Sequence, residues 1–579
     1  MLDITIRRPK TEDKEKLHEF FKLVINDTFI KEGIENEIYD LEEEIQTKNK
    51  YLQYDLESGG KLRYFLIAEY KENIVGTIEY GKSSELIDNC TNGELKDFFE
   101  VGTIFVRPDY QKQGISNLLL NAIYGVLIDR DIEEFCLDSG YSNSQKVWTK
   151  KFGEPNYFIE NYWGEGMHHM IWRIKLKGGC IEDVLMKYNF DEIIDRTKTE
   201  SSKWDPATLR EMFGEEDALP FWVADMDFKV AEPIIEALRK RVEHGIYGYS
   251  VRSDSYYQAI IDWTKRHFGW EIKREWIEYT PGIVPAVNYL VQALLRPGDK
   301  VLIQQPVYYP FKKSVENNGC HIVVNELKYN GDFYEIDFDD FEDKIKDPKV
   351  KMFILCSPHN PVSRVWTEEE LRKMGEICLA NDVIIISDEI HNDLVYSGNK
   401  HIMFGSLDDD LANISVTCTA PSKTFNLAGM QASNVIIPNR KMMLKYREQL
   451  ERNNIGNQNP LSIVAVETAY REGEEWLEQL LQYLEGNIEF IKKYLAENLP
   501  KAKLVRPQAT YLGWIDLREY ESDGKKLEEL VAKKGKVGFD GGSWFGLGGD
   551  GFLRINYACP RALLEEGLKR LRKAIVCKD

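Results

Sequence analysis

Five times between residues 278 and 429 a short apolar, β-prone run stops at a polar turn marked by Gly or Pro. The five are EYTPGIVPAVNYLVQAL (278–294), KVLIQQPVYYPF (300–311), KMFILCSPHNPVSRVW (351–366), VIIISDEIHND (383–393) and ISVTCTAPSKTFNLAG (414–429). Short β-rich runs alternating with helical segments are the pattern of a mostly parallel sheet covered by helices. In an open sheet of that kind the turns sit together outside the carboxyl ends of the strands, so the chemistry of these turns should converge.

This pattern fills close to 400 of the 579 residues. Ahead of it lie about 175 residues of separate mixed α/β text, ending where HHMIWRIKLK (168–177) runs into GGC (178–180) and, further on, the polar DRTKTESSKWDP (195–206). The expected organisation is a first domain at 1–177, a linker at 178–190 and a second domain at 191–579. Hydrophobic residues at 43%, with 12 Trp, 30 Tyr and 26 Phe, supply apolar area for several cores. A net charge of −21 repels polyanions, which excludes nucleic acid as a main partner. The N-terminus lacks an apolar core of signal-peptide length, and runs such as VIII at 383–386 are too short to span a bilayer, so a cytoplasmic protein without a membrane partner is expected. Nine scattered cysteines without a C-x-x-C pair suggest reduced thiols, with neither zinc nor disulfides.

Each turn of the second part carries a residue suited to a carbonyl cofactor. A lysine in a desolvated pocket loses proton affinity and forms an imine, which makes Lys423 the central candidate, with Ser422 beside it suited to an anion. Asp388 ends an apolar strand, where a carboxylate needs a cationic or hydrogen-bonding partner such as a pyridinium nitrogen; a helix N-cap is its structural alternative. His391 could bond a phenolic oxygen. Asn360 stands in a proline-braced turn that can aim an amide. Tyr308 or Tyr309 could stack on a flat ring or simply belong to the core. Gly282, Ile283 and Val284 open a helix whose free N–H groups suit a phosphate.

Taken together, in the chain order phosphate turn, aromatic, Asn, Asp, Lys, the segments resemble the fold type I pyridoxal 5′-phosphate enzymes. Within them the chain is similar to the cystathionine β-lyase or C–S lyase branch of the class I/II aminotransferases over residues 186–579, through LPFWVADMDF (219–228), HGIYGYS (244–250), SPHNPVSRVW, SDEIH, APSKTFNLAG and GFLRINYACPR (551–561). The resemblance implies a large domain with a mostly parallel sheet, helices on both faces, and a smaller α/β domain. It makes Lys423 the Schiff-base lysine and proton-transfer base, Asp388 the partner of the pyridine nitrogen and Asn360 that of the phenolic oxygen, with His391 where related aminotransferases have Tyr. Tyr308 would stack on the ring, Gly282 to Val284 with Ser422 would hold the phosphate, and Arg554 would clamp the substrate carboxylate, a surface ion pair being its alternative. Tyr249 would reach in from a neighbouring subunit, which implies a homodimer. Asn360-Pro361-Val362-Ser363 departs from the branch's Asn-Pro-Thr-Gly at Ser363. The glycine cluster GGSWFGLGGDG (541–551) precedes a strand and reads as a flexible loop near the substrate mouth. The implied activity is β-elimination from cystathionine or other S-substituted cysteines, with an aminotransferase or a regulatory protein acting through protein contacts as alternatives.

In the first part, 62–69, 74–80 and 99–106 read as strands, and RPDYQKQGIS opens a helix. Gln111, Lys112, Gln113, Gly114, Ile115 and Ser116 then form a turn that exposes N–H groups to a pyrophosphate. This stretch resembles motif A of the GNAT-type N-acetyltransferases, with Ser116 in place of the usual Gly or Ala. The resemblance implies a GNAT fold, a mixed sheet with helices, and acetyl-CoA as cosubstrate. Glu79 and Glu100 are candidate bases, although strand alternation could equally turn them to solvent. Trp148 occupies the region of the family's late Tyr, so no acid role is carried over. His168 and His169 are adjacent on a strand and face opposite ways, which argues against a shared metal.

Overall fold

Strand alternation in the first part builds one seven-stranded sheet. Its strands are β1 (Thr5–Arg7), β2 (Arg63–Tyr70), β3 (Asn73–Lys82), β4 (Phe99–Val106), β5 (Glu134–Ser139), β6 (Tyr157–Gly164) and β7 (Met167–Lys175), in the spatial order β1-β2-β3-β4-β5-β7-β6. All neighbours are antiparallel except β4 and β5. The computed structural model describes residues 4–34, 38–71, 73–111, 115–130, 132–175 and 188–576. It divides into two compact units, Met1–Lys187 and Tyr188–Asp579. Most of the linker expected at 178–190 lies outside the described residues.

Period-two alternation separates two cores in the first unit. Leu66, Ala68 and Val75 pack with Leu119, Leu120 and Ile123 of the helix Ile115–Asp129. Phe65, Ile67 and Ile74 pack with Leu17, Phe21 and Val24 of α1 (Lys14–Glu32) and Leu52 of α2 (Ile38–Ser58). Both faces are therefore covered, and β3 is buried over eight consecutive residues.

The large sheet of the second unit runs, in spatial order, His321–Glu326, Lys300–Gln305, Val350–Cys356, Ile384–Asp388, Ser415–Thr419, Ser433–Ile436 and Ile277–Thr280. The first five are parallel and Ser433–Ile436 is antiparallel to both its neighbours. Their near-continuous apolar runs follow from coverage on both faces. Met352 and Ile354 join the core under the helix Ile283–Leu294, while Phe353 and Leu355 join the one under the helix Glu368–Ala380.

A smaller antiparallel sheet, Lys503–Leu504, Leu512–Asp516, Phe552–Asn556 and Asp540–Gly541, completes this unit with the helices Glu474–Asn498 and Arg561–Val576. The glycine cluster at 541–551 is packed, contrary to the flexible loop expected. Ser543 and the Trp544 indole donate to Glu528 (2.7 and 3.1 Å), the Phe545 carbonyl accepts from the Val307 N–H (3.0 Å), and a side chain at Gly546 would collide with Gln305. The glycines serve close backbone approach. The seven described cysteines are unpaired thiols, six of them buried. No helix among the described residues is long and apolar enough to cross a membrane.

Asn487 of the long helix is fully buried; it donates to the carbonyls of Tyr557 (2.9 Å) and Cys559 (3.1 Å) and accepts from the Arg561 guanidinium (2.6 Å). Asn487→Ala orphans all three groups and is expected to destabilise the second unit by roughly 2–4 kcal/mol in urea unfolding.

Candidate active site

Four consecutive parallel strands end within reach of one another, and each delivers one candidate just beyond its carboxyl end: Tyr308 after Lys300–Gln305, Asn360 after Val350–Cys356, Asp388 at the end of Ile384–Asp388, and Lys423 after Ser415–Thr419. The strand order thus gathers residues separated by up to 115 positions onto one edge.

Lys423 lies in the turn Pro421–Thr424, directly after Ser422, and its Nζ donates to the Ala224 carbonyl at 2.6 Å. Burial lowers its pKa to about 8, with Arg554 pushing the same way and Asp225 and Asp388 opposing. Asp388 is 5% exposed and accepts one bond, from the Ile390 N–H at 3.2 Å. Burial raises it to about 7. Turns rather than a helix follow it, so the N-cap alternative falls away. His391 is buried and held neutral, chiefly by desolvation and then by the charges of Lys423 and Arg554; its Nδ1 has no partner among the described residues.

Arg554 is 3% exposed, which overturns the surface ion pair considered for it. Its Nη1 donates to Asn360 Oδ1 (3.1 Å), and its Nη2 donates to the Trp222 carbonyl (2.8 Å) and to Asp540. Asn360 is fixed from behind, its carbonyl accepting from the Tyr308 N–H at 3.1 Å. The departure at Ser363 leaves the turn intact: Ser363 takes φ +55° and its hydroxyl bonds the Leu512 carbonyl (2.7 Å) and Thr510 (3.0 Å). Between the two tyrosines, Tyr308 lies in the field of Asp388, whereas the Tyr309 ring packs edge-on against Phe545 and Trp544. Gly282, at φ +149°, precedes the helix Ile283–Leu294, whose N-terminus carries no side-chain cap. The amides of Ile283 and Val284 are thus among that helix's free donors.

Tyr249 is not brought to this edge: it is 98% exposed on a segment that is itself exposed from Val242 to Tyr249. Sequence reasoning missed Trp222, Asp225, Tyr511 and Asp540. Asn556 holds the segment of the first two through the carbonyls of Val223 (2.7 Å) and Asp225 (2.6 Å), and the Tyr511 hydroxyl donates to the Ala224 carbonyl (2.8 Å). The one legible signal for Trp222 and Asp225 was membership of the quoted segment LPFWVADMDF and, for Asp540, adjacency to the glycine cluster; Tyr511 had none.

In the first unit, β4 pairs with β5 only at Phe99 and Glu100, and Thr103 bulges at φ +51°. Among the described residues no strand pairs with β4 beyond Glu100 on that side. Glu79 and Glu100 are buried at 0% and 6% exposure. Glu79 is ion-paired with Arg63 (3.0 Å), whereas Glu100 accepts from the Ser84 N–H (2.8 Å) with Arg63 at 3.9 Å. Burial, with Asp138 next, raises Glu100 to about 7. Gln111 bonds the Val106 carbonyl through its side chain (3.1 Å), Ile115 begins the helix Ile115–Asp129 with Ser116 behind it, and Lys112, Gln113 and Gly114 lie outside the described residues. Trp148 is a core residue stacked on Phe152. His169 is buried 3.1 Å from Asp138, while the His168 ring accepts from the Asn161 N–H on the exposed edge.

Comparison with known proteins gives a family for each of the two units. The Acetyltransferase (GNAT) family matches residues 31–153, and the family Aminotransferase class I and II matches residues 220–571. The cystathionine beta-lyase PatB of Bacillus subtilis (strain 168) is 46% identical over 387 residues, 67% of this chain and 100% of that protein. Among solved structures, cystalysin from Treponema denticola, which contains a pyridoxal 5′-phosphate cofactor, is 38% identical with a TM-score of 0.66 over 68% of this chain and all of its own. The PLP-bound C-S lyase from Staphylococcus hominis is 37% identical with a TM-score of 0.63 over 67% of this chain and 98% of its own. The chain belongs to the class I and II aminotransferase family and carries a GNAT-family acetyltransferase domain ahead of it.

Proposed function

We propose that the second unit is a pyridoxal 5′-phosphate-dependent carbon–sulfur β-lyase, converting an S-substituted L-cysteine such as cystathionine and water to a thiol, pyruvate and ammonia. The observation that carries elimination over transamination is the 46% identity across the whole of a cystathionine β-lyase. The groups present fit the cofactor. Asp388 is a buried carboxyl short of a cation, the helix at Ile283 is uncapped, and His391 Nδ1 and Arg554 Nε are buried without partners among the described residues.

When bound, pyridoxal phosphate supplies an electron sink for the pair released from the substrate's Cα. Lys423 holds it through its amine and, once displaced, takes the Cα proton; a pKa near 8 leaves part of the free amine unprotonated at neutral pH. Asp388 holds a proton on the ring nitrogen. Ile283 and Val284 donate to the phosphate from the turn at Gly282, with Ser422 adding its hydroxyl, and Tyr308 covers the ring. Asn360 donates its amide to the phenolic oxygen while its Oδ1 steadies Arg554, which orients the substrate carboxylate. His391 contributes a neutral ring. Tyr249 acts from a second copy in a homodimer, a reading supported by its full exposure on an apolar segment. Unpaired thiols fit a reducing, cytoplasmic setting.

The first unit, on this reading, transfers acetyl from acetyl-CoA to an amine, with Glu100 taking the amine proton and the turn from Gln111 to Ser116 holding the pyrophosphate.

Three outcomes follow. Given cystathionine and no keto acid, the protein releases pyruvate and thiol in equal amounts, and Lys423→Ala lowers the rate roughly 10²–10⁴-fold; a requirement for a keto acid would indicate an aminotransferase. Mixing Lys423→Ala with Tyr249→Ala protomers under subunit exchange restores about a quarter of wild-type lyase activity, because each hybrid dimer holds one intact site; a Tyr249 serving its own chain gives no recovery. For thioester consumption with an amine acceptor, the rate climbs as pH rises through about 7, where Glu100 loses its proton, and Glu100→Gln removes that limb.

A further inference from the structure

Arg554 already has an anionic partner. Asp540 sits directly opposite it in the antiparallel pairing of Asp540–Gly541 with Phe552–Asn556, is 1% exposed, and bonds Nη2 through Oδ2. Its other oxygen, Oδ1, is buried and has no partner among the described residues. The guanidinium's Nη atoms otherwise donate to Asn360 and Trp222, Phe545 lies 5.0 Å from its Cζ, and its Nε is without a partner among the described residues.

We propose that Asp540 is a positioning residue that couples capture of the substrate carboxylate on Arg554 to the uptake of a proton. The proposal rests on the reading of Arg554 as the carboxylate's partner. Without substrate, ionised Asp540 neutralises a guanidinium that would otherwise be an uncompensated buried charge. An arriving carboxylate puts a second anion on the same cation in a dry site, where two carboxylates do not both stay ionised. The substrate's carboxylate is the weaker base and keeps its charge. Asp540 takes a proton from solvent, and its new O–H donates to the incoming carboxylate. Groups facing Asp540 favour this. Glu528 of the helix Gly524–Leu530 adds negative charge, and Tyr308 and Tyr309 of the neighbouring turn are held neutral by burial. Burial raises Asp540 to about 6 against the pull of Arg554, so the proton is within reach near neutrality.

The test is calorimetric titration of the holoenzyme with 3-(methylthio)propionate, which has the carboxylate and thioether of a substrate but no amine to displace Lys423. Heats in buffers of different ionisation enthalpy count protons, and the cofactor's visible band reports any taken up at Lys423. The proposal predicts uptake of about one proton per ligand at pH 7.5 and an affinity that falls about tenfold per pH unit above the Asp540 titration. In Asp540→Asn the uptake disappears and the affinity becomes flat with pH. No uptake by the wild-type protein, or undiminished uptake in Asp540→Asn, overturns the proposal, and the wild-type count decides even if the variant fails to fold. An Arg554→Ala protein that binds as tightly as wild type removes the carboxylate from Arg554, which overturns the clamp reading and this proposal together; lost binding with no proton uptake overturns this proposal alone.

Discussion

A charge taken out of water needs a partner, and the carboxyl edge of the large sheet holds several whose partners are incomplete. Asp388 has one backbone N–H, Lys423 one backbone carbonyl, and His391 a ring nitrogen with none among the described residues. Burial accordingly drives the carboxyl up to about 7 and the amine down to about 8. Left alone, such groups weigh against folding. On the proposed reading, a cofactor with a cationic ring nitrogen and an aldehyde would supply Asp388 and Lys423 with partners, so the fold's local cost and its chemistry would have one origin.

The same constraint explains why distant segments are tied so firmly behind the edge. The stretch 219–228 is held by Asn556 through the Val223 and Asp225 carbonyls and by Asn426 through the carbonyls of Met226 and Phe228 (both 3.0 Å). Arg196 and Lys203 neutralise Asp225 and Asp227 on that stretch. It thereby presents the Ala224 carbonyl to Lys423 and the Trp222 carbonyl to Arg554. A single stretch of main chain thus sets the positions of both Lys423 and Arg554.

Much of this was legible in the sequence, for a definable reason. Lys423, Asp388, Asn360 and Tyr308 each follow an apolar run at a polar turn, and local order is enough to place them at strand ends. The ionised network behind them was not legible: Asp540 meets Arg554 through strand pairing across 14 residues, and Trp222 reaches it across 332. Long-range register carries no local signature. The glycines at 541–551 misled because sequence cannot separate glycine that permits motion from glycine that permits contact. Glu79 and Glu100 left both faces open, and the packing of α1 and α2 over the sheet decided for burial. Ser363 adopts the left-handed turn through two hydroxyl bonds that only the folded chain supplies.

The central claim is that this edge is a pyridoxal phosphate site built on Lys423. It is tested most directly by borohydride reduction of the holoenzyme followed by peptide mass mapping. The account predicts a single pyridoxyl-phosphate adduct on the peptide carrying Lys423, absent when Lys423 is replaced. An adduct on a different lysine, or a protein that takes up no cofactor while folded, contradicts it.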